Sequence, residues 1–264
     1  MTLAAMVLAA GRGERMRPLT DTCPKPLLSV RGQALLAWHV QALVQGGFDQ
    51  LVFNTAWQGE AVTGFFAPHC VSEGTFKWPD QPPFTALFSD EAGDFGGALE
   101  TAGGISRALP LLGAHQPPQH HDAFWVVAGD VFVPGFAFTQ ASVDRFLAST
   151  ALAHLWLVPN PAHHPNGDFG IGPTGLAWSR APSGTVGGAP APRYTYSTIG
   201  LYRAALFAEP WCDIPPGNPA GVKAPLAPLL RRAMDAGRVS AELYHGPWTD
   251  VGTPERLAEL NTPE

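Results

Sequence analysis

The chain contains few cysteines and few charged residues, and this composition limits the classes of protein to which it can belong. Its 264 residues include three cysteines, Cys23, Cys70 and Cys212, and only 14% of them are charged. An odd number of cysteines without C-x-x-C spacing argues against a disulfide framework and is typical of a reducing compartment. No run of 18 apolar residues occurs, so the sequence predicts no transmembrane helix.

An excess of positive charge is also missing. The 16 Lys and Arg residues stand against 22 Asp and Glu, which gives a formal net charge of −6. This balance disfavours a general nucleic-acid-binding surface, because phosphate backbones are bound by clustered cations. The first residues carry no basic flank before their short apolar run, so no signal peptide is predicted and the expected location is the cytoplasm.

The chain does contain enough apolar residues, 45%, to bury a large core. Apolar runs predict strands over 3–8, 51–54, 85–89, 124–128, 153–158 and 194–202. Helical spacing predicts helices over 33–45, 60–66, 101–111 and 226–236, and a last short helix capped by Thr253. This alternation indicates an α/β fold, Rossmann-like, with a mixed but mostly parallel sheet and helices on both faces, in one domain spanning 1–264.

Four stretches rich in proline and glycine interrupt this alternation, at 77–84, 115–122, 182–193 and 215–225. Such residues favour turns, because proline fixes φ and glycine adopts conformations that other residues avoid. We expect all four to be surface loop insertions.

The loop after the first strand combines glycine with positive charge. Gly11 and Gly13 allow backbone N–H groups to approach an anion, and four cations follow within a few positions: Arg12, Arg15, Arg17 and Lys25. The pattern fits neither the P-loop nor the dinucleotide fingerprint. A polyphosphate ligand is the best explanation of local cations in an acidic chain.

Asp130 follows another predicted strand, 124–128. In an open parallel sheet, ligands bind beyond the carboxyl ends of the strands. We therefore expect Asp130 and the glycine loop to lie at the same edge of the sheet.

Three motifs resemble the sugar-1-phosphate nucleotidyltransferases: G-x-G-x-R-M-x-P-L-T from Gly11 with P-K-P-L from Pro24, L-E-T-x-G-G-I from Leu99, and W-x-D-V-G-T-P-E-R-L from Trp248. The resemblance implies that a sugar phosphate oxygen attacks the α-phosphorus of a nucleoside triphosphate and that pyrophosphate leaves. The chain most resembles the members of this family that use UTP and N-acetylmuramate 1-phosphate in cell-wall recycling.

The same resemblance implies roles for the charged residues. Arg15 would hold the β/γ side of the triphosphate, Lys25 would contact the reacting phosphoryl group, and Asp130 and Asp250 would bind Mg2+ through hard oxygen ligands. Arg12 and Arg17 either touch the triphosphate or face water. The attacking phosphate oxygen is already anionic and needs no base, so no role is expected for the histidine pairs His120-His121 and His163-His164.

The nucleotide and sugar contacts are expected from residues in several parts of the chain. The predicted nucleotide-binding residues are Leu8, Ala9, Ala10, Gly11, Gly13, Asn54, Gly103 and Gly129. The predicted sugar-binding residues are Glu100, Asn160 and Asp168, although for Asn160 and Asp168 a simple exposed loop is the alternative. Gly97-Ala98 replaces the family's acidic residue and proline, which leaves open whether Glu91, Asp94 or neither contacts uracil or ribose.

Other readings stay open at this stage. The substrates could instead be glucose 1-phosphate with dTTP or UTP, or mannose 1-phosphate with GTP, because specificity depends on few contacts. A noncatalytic nucleotide-sensing subunit is a further alternative. The expected partners are the nucleotide and the sugar phosphate, without nucleic acid or membrane, in a monomer or a small homo-oligomer.

Overall fold

A nine-stranded sheet forms the centre of the computed structural model, which describes residues 3–113, 122–180 and 191–262. The strands are β1 (Ala4–Leu8), β2 (Ser29–Val30), β3 (Gln33–Ala34), β4 (Gln50–Thr55), β5 (Cys70–Ser72), β6 (Thr75–Phe76), β7 (Phe84–Asp90), β8 (Ala123–Ala128), β9 (Val131–Phe132), β10 (Ala153–Val158), β11 (Gly170–Ile171), β12 (Ala177–Trp178), β13 (Thr195–Arg203), β14 (Val239–Leu243) and β15 (Thr249–Asp250). The helices are α1 (Leu19–Thr22), α2 (Leu35–Gln45), α3 (Gly59–Phe66), α4 (Glu91–Phe95), α5 (Glu100–Ala108), α6 (Gln140–Leu147), α7 (Leu226–Asp235) and α8 (Pro254–Asn261).

The strand order is β14-β10-β13-β8-β1-β4-β7-β6-β5. Strands β8, β1, β4 and β7 are parallel neighbours, and β10 and β14 run in the same direction. Strand β13 is antiparallel to both β8 and β10. The ends of β1, β4, β7, β8 and β10 therefore meet the beginning of β13 at one edge. The mixed, mostly parallel sheet is the one predicted from the alternation.

Side chains of β1 show how the core is divided between the two faces of the sheet. Val7 belongs to a buried cluster that includes Leu43 of α2. Met6, one position earlier, belongs to a second cluster with Ile105 of α5 and Leu230 of α7. Because consecutive side chains of a strand point to opposite faces, helices cover the sheet on both sides. None of the helices in the described ranges has the length and apolar character needed to cross a membrane.

The predicted strands and helices are all present, with ends within three residues of the expected ones. Sequence patterns missed α6 and β14. Helix α6 begins where Thr139 Oγ1 accepts a hydrogen bond from Ser142 N at 3.2 Å. Strand β14 is a five-residue edge strand that pairs with β10. Its sequence V-S-A-E-L is too short to be distinguished from a loop by periodicity.

The predicted surface insertion at 77–84 is mostly exposed, but Trp78 within it packs into the fold. Trp78 is buried, and its ring stacks on Phe66 with the ring centroids 6.1 Å apart. An aromatic residue in a proline-rich run is drawn into the core by its large apolar surface. Two further predicted insertions, 115–122 and 182–193, lie almost wholly outside the described residues.

The segment 215–225 is irregular and mostly exposed, as predicted for a surface loop, but one buried residue fixes it to α5. Asn218 is fully buried, and its Nδ2 donates to Gly103 O at 3.1 Å and to Val222 O at 2.9 Å. Asn218 Oδ1 accepts from Val222 N at 2.8 Å. These hydrogen bonds fix an irregular segment beside α5 and determine where α7 begins.

Candidate active site

Two adjoining clefts open at the edge where the parallel strands end. The main cleft has a volume of about 650 Å³, and the side cleft, which shares Asp130 with it, has about 360 Å³. Predicted residues in the main cleft are Leu8, Ala9, Ala10, Gly11, Lys25, Asn54, Glu100, Asp130 and Asp168. The side cleft holds Arg15, Asp130 and Asp250. The structure thus brings most of the predicted site residues together, while their individual roles stay predictions.

Gly13 shapes the first loop without lining either cleft. Its φ is +65°, a conformation that favours glycine, and an added Cβ would lie 3.0 Å from Thr20 Cγ2. Thr20 Oγ1 donates to Gly13 O at 2.8 Å and closes the turn. The predicted contact of Gly13 with the nucleotide does not hold in this structure, where Gly13 sets the path of the loop.

The three arginines of the loop have different surroundings. The Arg12 guanidinium lies 3.6 Å above the centre of the Trp57 ring, and Arg17 pairs with Asp21 at 2.8 Å. Arg12 also reaches Asp21, at 3.1 Å, and neither Arg12 nor Arg17 lines a cleft. Arg15 is the loop arginine that lines the side cleft. The geometry therefore favours Arg15 over its neighbours as a phosphate contact.

A buried hydrogen-bond chain fixes the loop to the neighbouring strands. Ala9 N donates to Asn54 Oδ1 at 2.9 Å, and Asn54 Nδ2 donates to Glu91 Oε1 at 2.7 Å. The other carboxylate oxygen, Glu91 Oε2, accepts from Leu99 N at 2.7 Å. Burial raises the pKa of Glu91 above its ordinary value, against the opposing effect of these donors.

Glu91 and Asp94, the two acidic residues left open above, have different surroundings. Glu91 lines the main cleft, and both of its carboxylate oxygens accept hydrogen bonds from the protein. Asp94 forms an ion pair with Arg107 and does not line the cleft. Of the two, Glu91 is therefore the one that lies at the cleft.

Lys25 and Asp130 form an ion pair at the centre of the main cleft. Lys25 Nζ lies 2.6 Å from Asp130 Oδ2, and only 7% of the lysine is exposed. Asp130 comes directly after Gly129 at the end of β8, as the sheet topology predicts. A short, partly buried ion pair of this kind restrains the long lysine side chain.

Backbone pairing brings Asp250 to Asp130. Strand β15 pairs with β9 so that Asp250 lies opposite Val131, and Val251 N donates to Asp130 O at 2.9 Å. Arg256 forms an ion pair with Asp250 Oδ2 and donates to Asp250 O at 3.0 Å. The other carboxylate oxygen, Oδ1, is buried and lies 2.9 Å from His163 Nε2.

The two aspartates fit a magnesium ion. Both line the side cleft and carry hard carboxylate oxygens, which are the ligands that Mg2+ prefers. The described residues contain no group of three or more His, Cys, Asp or Glu that could hold a metal. Mg2+ is commonly bound by one or two carboxylates together with substrate phosphates and water, so two aspartates suffice.

Among the predicted sugar contacts, Asn160 is wrong. Its Nδ2 donates to Pro165 O and Arg193 O, each at 3.0 Å, and its Oδ1 accepts from Thr195 Oγ1 at 2.9 Å. Asn160 therefore stabilises its own loop and does not line the clefts. Asp168 does line the main cleft, and its Oδ2 accepts from Tyr196 N at 2.8 Å.

Two predicted nucleotide-binding glycines have a packing role. A Cβ on Gly103 would collide with Val222 O, because α5 lies directly against the segment 215–225. Gly129 donates its N–H to Leu8 O at 2.8 Å, and an added Cβ would lie 2.8 Å from that same oxygen. Both glycines permit close approach of two backbones, and their contact with the nucleotide stays a prediction.

Sequence reasoning missed several residues of the clefts. His163 was given no role, yet His163 Nε2 lies 2.9 Å from Asp250 Oδ1; His120 and His121 lie outside the described residues. Other missed residues include Pro26, Thr101, His164, Phe169, Tyr196, Thr198, Pro225, Leu226, Ala227, Leu230, Arg231 and Trp248. The apolar repeat of α7 predicts a helix, but only the packed structure shows which face borders the cleft.

Comparison with known proteins gives concordant results. The family model described as nucleotidyl transferase matches residues 4–172. The N-acetylmuramate alpha-1-phosphate uridylyltransferase of Neisseria meningitidis is 42% identical over 97% of this chain and 96% of its own, and that of Caulobacter vibrioides is 30% identical over 97% of each.

Solved structures show the same fold at low sequence identity. A structure from Bacillus anthracis described as a glucose-1-phosphate thymidylyltransferase has a TM-score of 0.71 at 18% identity, covering 99% of this chain and 94% of that one. HddC from Yersinia pseudotuberculosis, complexed with GMP-PN, has a TM-score of 0.65 at 13% identity, covering 98% of each chain.

Proposed function

The chain belongs to the nucleotidyl transferase family, and from this premise we propose that it transfers a uridylyl group from UTP to N-acetylmuramate 1-phosphate. The products are UDP-N-acetylmuramate and pyrophosphate, as a step of cell-wall recycling. The observation that carries the proposal is the meeting of Lys25, Asp130 and Asp250 beside the first loop. The choice of uracil and of the sugar is supported by the 42% identical relative.

The reaction is a displacement at phosphorus. An oxygen of the sugar 1-phosphate forms a bond to the α-phosphorus of UTP, the bond from that phosphorus to the oxygen bridging to the β-phosphate breaks, and pyrophosphate leaves with the electron pair. The attacking oxygen is anionic at neutral pH and needs no base. Catalysis then depends on positioned cations and on in-line geometry.

Lys25 is proposed to contact the phosphoryl groups at the reacting centre. Its ammonium already lies inside the main cleft, held by Asp130, so little reorganisation is needed when a phosphate arrives. Arg15, at the side cleft, is placed to hold the departing pyrophosphate, because a guanidinium can bridge two phosphate oxygens.

Asp130 and Asp250 are proposed to hold Mg2+. When bound, the ion offsets the negative charge that accumulates on the phosphate oxygens. Arg256 is a positioning residue in this arrangement, since it pairs with Asp250 Oδ2, while His163 Nε2 lies 2.9 Å from the other oxygen, Oδ1.

The main cleft has two ends on either side of this centre. Asn54 and Glu91 lie at the β4–β7 end, beside the first loop, and we assign that end to the base. Asp168 and Tyr196 lie at the β10–β13 end, and we assign that end to the sugar. Asp168 remains the predicted hydroxyl partner there.

A pyrophosphate-release assay tests the proposal with Mg2+, single nucleoside triphosphates and a panel of sugar 1-phosphates. We expect UTP with N-acetylmuramate 1-phosphate to give the highest kcat/KM. A preference for glucose 1-phosphate with dTTP or UTP, or for mannose 1-phosphate with GTP, would replace the proposed substrates. Nucleotide binding by calorimetry without turnover of any pair would indicate a sensing subunit.

A further inference from the structure

The main cleft contains a cationic side chain that the proposed reaction does not use. Arg231, on α7, is exposed and lines the cleft. It makes no hydrogen bond and no ion pair with the described residues. Lys25, the other cation of this cleft in the described ranges, is already paired with Asp130. Within the part of the chain that the structure describes, Arg231 is therefore the cleft cation without a bonded partner, and its guanidinium can receive an anion.

The course of α7 places Arg231 toward the sugar end. The helix starts beside α5, where Ala224 O accepts hydrogen bonds from Ala102 N and Gly103 N at 2.9 and 3.1 Å. It ends at Gly237, where an added Cβ would lie 3.9 Å from Leu176 in the turn between β11 and β12. Arg231 lies more than one turn along this path, on the cleft-facing side that also carries Leu226, Ala227 and Leu230.

The sugar end of the main cleft carries negative charge, which bears on the role of Arg231. Asp168 lines this end of the main cleft, and a carboxylate suits the neutral hydroxyls of a sugar. N-acetylmuramate differs from N-acetylglucosamine by a lactyl ether that carries a carboxylate. Asp168 would repel that extra negative charge unless a cation compensated for it. A planar guanidinium matches a carboxylate through two parallel hydrogen bonds.

We propose that Arg231 recognises the lactyl carboxylate of N-acetylmuramate 1-phosphate and thereby selects this sugar over neutral sugar 1-phosphates. The proposal rests on the function proposed above and assigns a residue to its substrate choice. Arg231 is a specificity-determining residue here, because the lactyl group is remote from the phosphate that reacts.

The experiment compares kcat/KM for N-acetylmuramate 1-phosphate and N-acetylglucosamine 1-phosphate in the wild type, in Arg231→Gln and in Arg232→Gln. Arg232 is a matched control, because it is the next residue of the same helix but donates to Trp211 O. We expect Arg231→Gln to lower the ratio of the two values at least about tenfold, the effect of losing a hydrogen bond to a charged group. In Arg231→Gln, kcat/KM for N-acetylglucosamine 1-phosphate should stay within about threefold of the wild-type value. In Arg232→Gln, the ratio of the two kcat/KM values should stay within about threefold of the wild-type ratio.

A substrate with the lactyl carboxylate converted to a neutral amide provides a second measurement. In the wild type, kcat/KM for this amide should be lower than for the acid by about the same factor. In Arg231→Gln the two substrates should have similar kcat/KM values, since the substitution and the amide remove the same interaction. A selective wild type whose selectivity survives Arg231→Gln would overturn the role of Arg231 alone. A wild type that prefers a neutral sugar would instead overturn the proposed substrate, and with it this assignment.

Discussion

Lys25 Nζ and Asp130 Oδ2 are 2.6 Å apart, although 105 positions separate the two residues in the chain. The pair joins the first loop to the end of β8 across the main cleft. Asp130 is also one of the two proposed magnesium ligands, so the same carboxylate faces both a lysine and a metal. If Mg2+ were held by Asp130 and Asp250, its charge would weaken the hold of Asp130 on the Lys25 ammonium. Metal binding and the position of Lys25 would then be coupled through one side chain.

Replacing the lysine tests this arrangement. We expect Lys25→Ala to lower kcat/KM by at least about a hundredfold, or about 2.7 kcal/mol of transition-state stabilisation, as when a preorganised donor is deleted. Steady-state pyrophosphate release measures the loss. Lys77→Ala is the matched control, because Lys77 is exposed and lines neither cleft. A loss below about threefold in Lys25→Ala would remove Lys25 from the reacting centre.

The two aspartates can be tested without relying on turnover alone. We expect Asp130→Asn and Asp250→Asn each to abolish activity and to weaken Mn2+ binding in the presence of UTP, measured by electron paramagnetic resonance. An amide is a poorer ligand for a hard cation than a carboxylate is. Asp235→Asn, at the exposed end of α7, should leave both measurements unchanged. Unaltered Mn2+ affinity in either cleft variant would exclude that residue as a metal ligand.

A buried histidine gives the stability a defined pH dependence. His39 Nε2 donates to Val131 O at 2.9 Å, and burial lowers the pKa of the ring from 6.5 to about 4. Between these two values the unfolded chain binds a proton that the folded chain does not. The free energy of unfolding therefore decreases as the pH falls from 6.5 toward 4. At pH 5 the expected loss is about 2 kcal/mol.

Urea unfolding at pH 7 and pH 5, in the presence of a chelator, measures this effect. His39→Gln can keep a donor for Val131 but does not titrate, so its pH dependence should be smaller by about 2 kcal/mol. His245→Gln, at an exposed position, should follow the wild type. Parallel pH profiles for wild type and His39→Gln would show that the ring is not responsible.

The edge of the sheet that holds the site was predictable from sequence. Apolar runs mark the strands, and the carboxyl ends of parallel strands share one edge, so the first loop and Asp130 had to converge. That Asp130 and Asp250 lie close together was implied by the family motifs alone. It depends on the pairing of β9 with β15, two strands of two residues each, which are too short to leave a periodic signal.

Other parts of the site depend on contacts that no local pattern encodes. Asn160 follows β10, and Asn54 lies near the end of β4. The hydrogen bonds of Asn160 nevertheless go to its own loop, because the carbonyls of Pro165 and Arg193 are within reach. The role of Gly103 depends on where the segment 215–225 returns to α5. Polar residues and glycines at strand ends can contact either a ligand or the protein backbone, and tertiary packing decides which of the two they contact.

The hydrogen-bond chain behind the first loop leads to the last prediction. A Cβ at Gly104 would lie 2.5 Å from Glu91 Oε1 and 3.0 Å from Asn54 Nδ2. Gly104→Ala therefore forces the carboxylate away from Asn54, which in turn holds Ala9 N in the loop. We expect a rise in the KM for UTP of at least about fivefold and a loss of about 1–3 kcal/mol in unfolding free energy, because buried polar groups lose partners.

The control for this variant lies a few residues earlier in the chain. Gly97→Ala introduces a Cβ that meets no atom within 4 Å, and the φ of Gly97 is not in the left-handed region. It should leave both the KM for UTP and the stability close to those of the wild type. If Gly104→Ala lowers stability but leaves the KM for UTP unchanged, the chain from Glu91 to Ala9 supports the fold without positioning the nucleotide loop, and its proposed part in binding UTP is wrong.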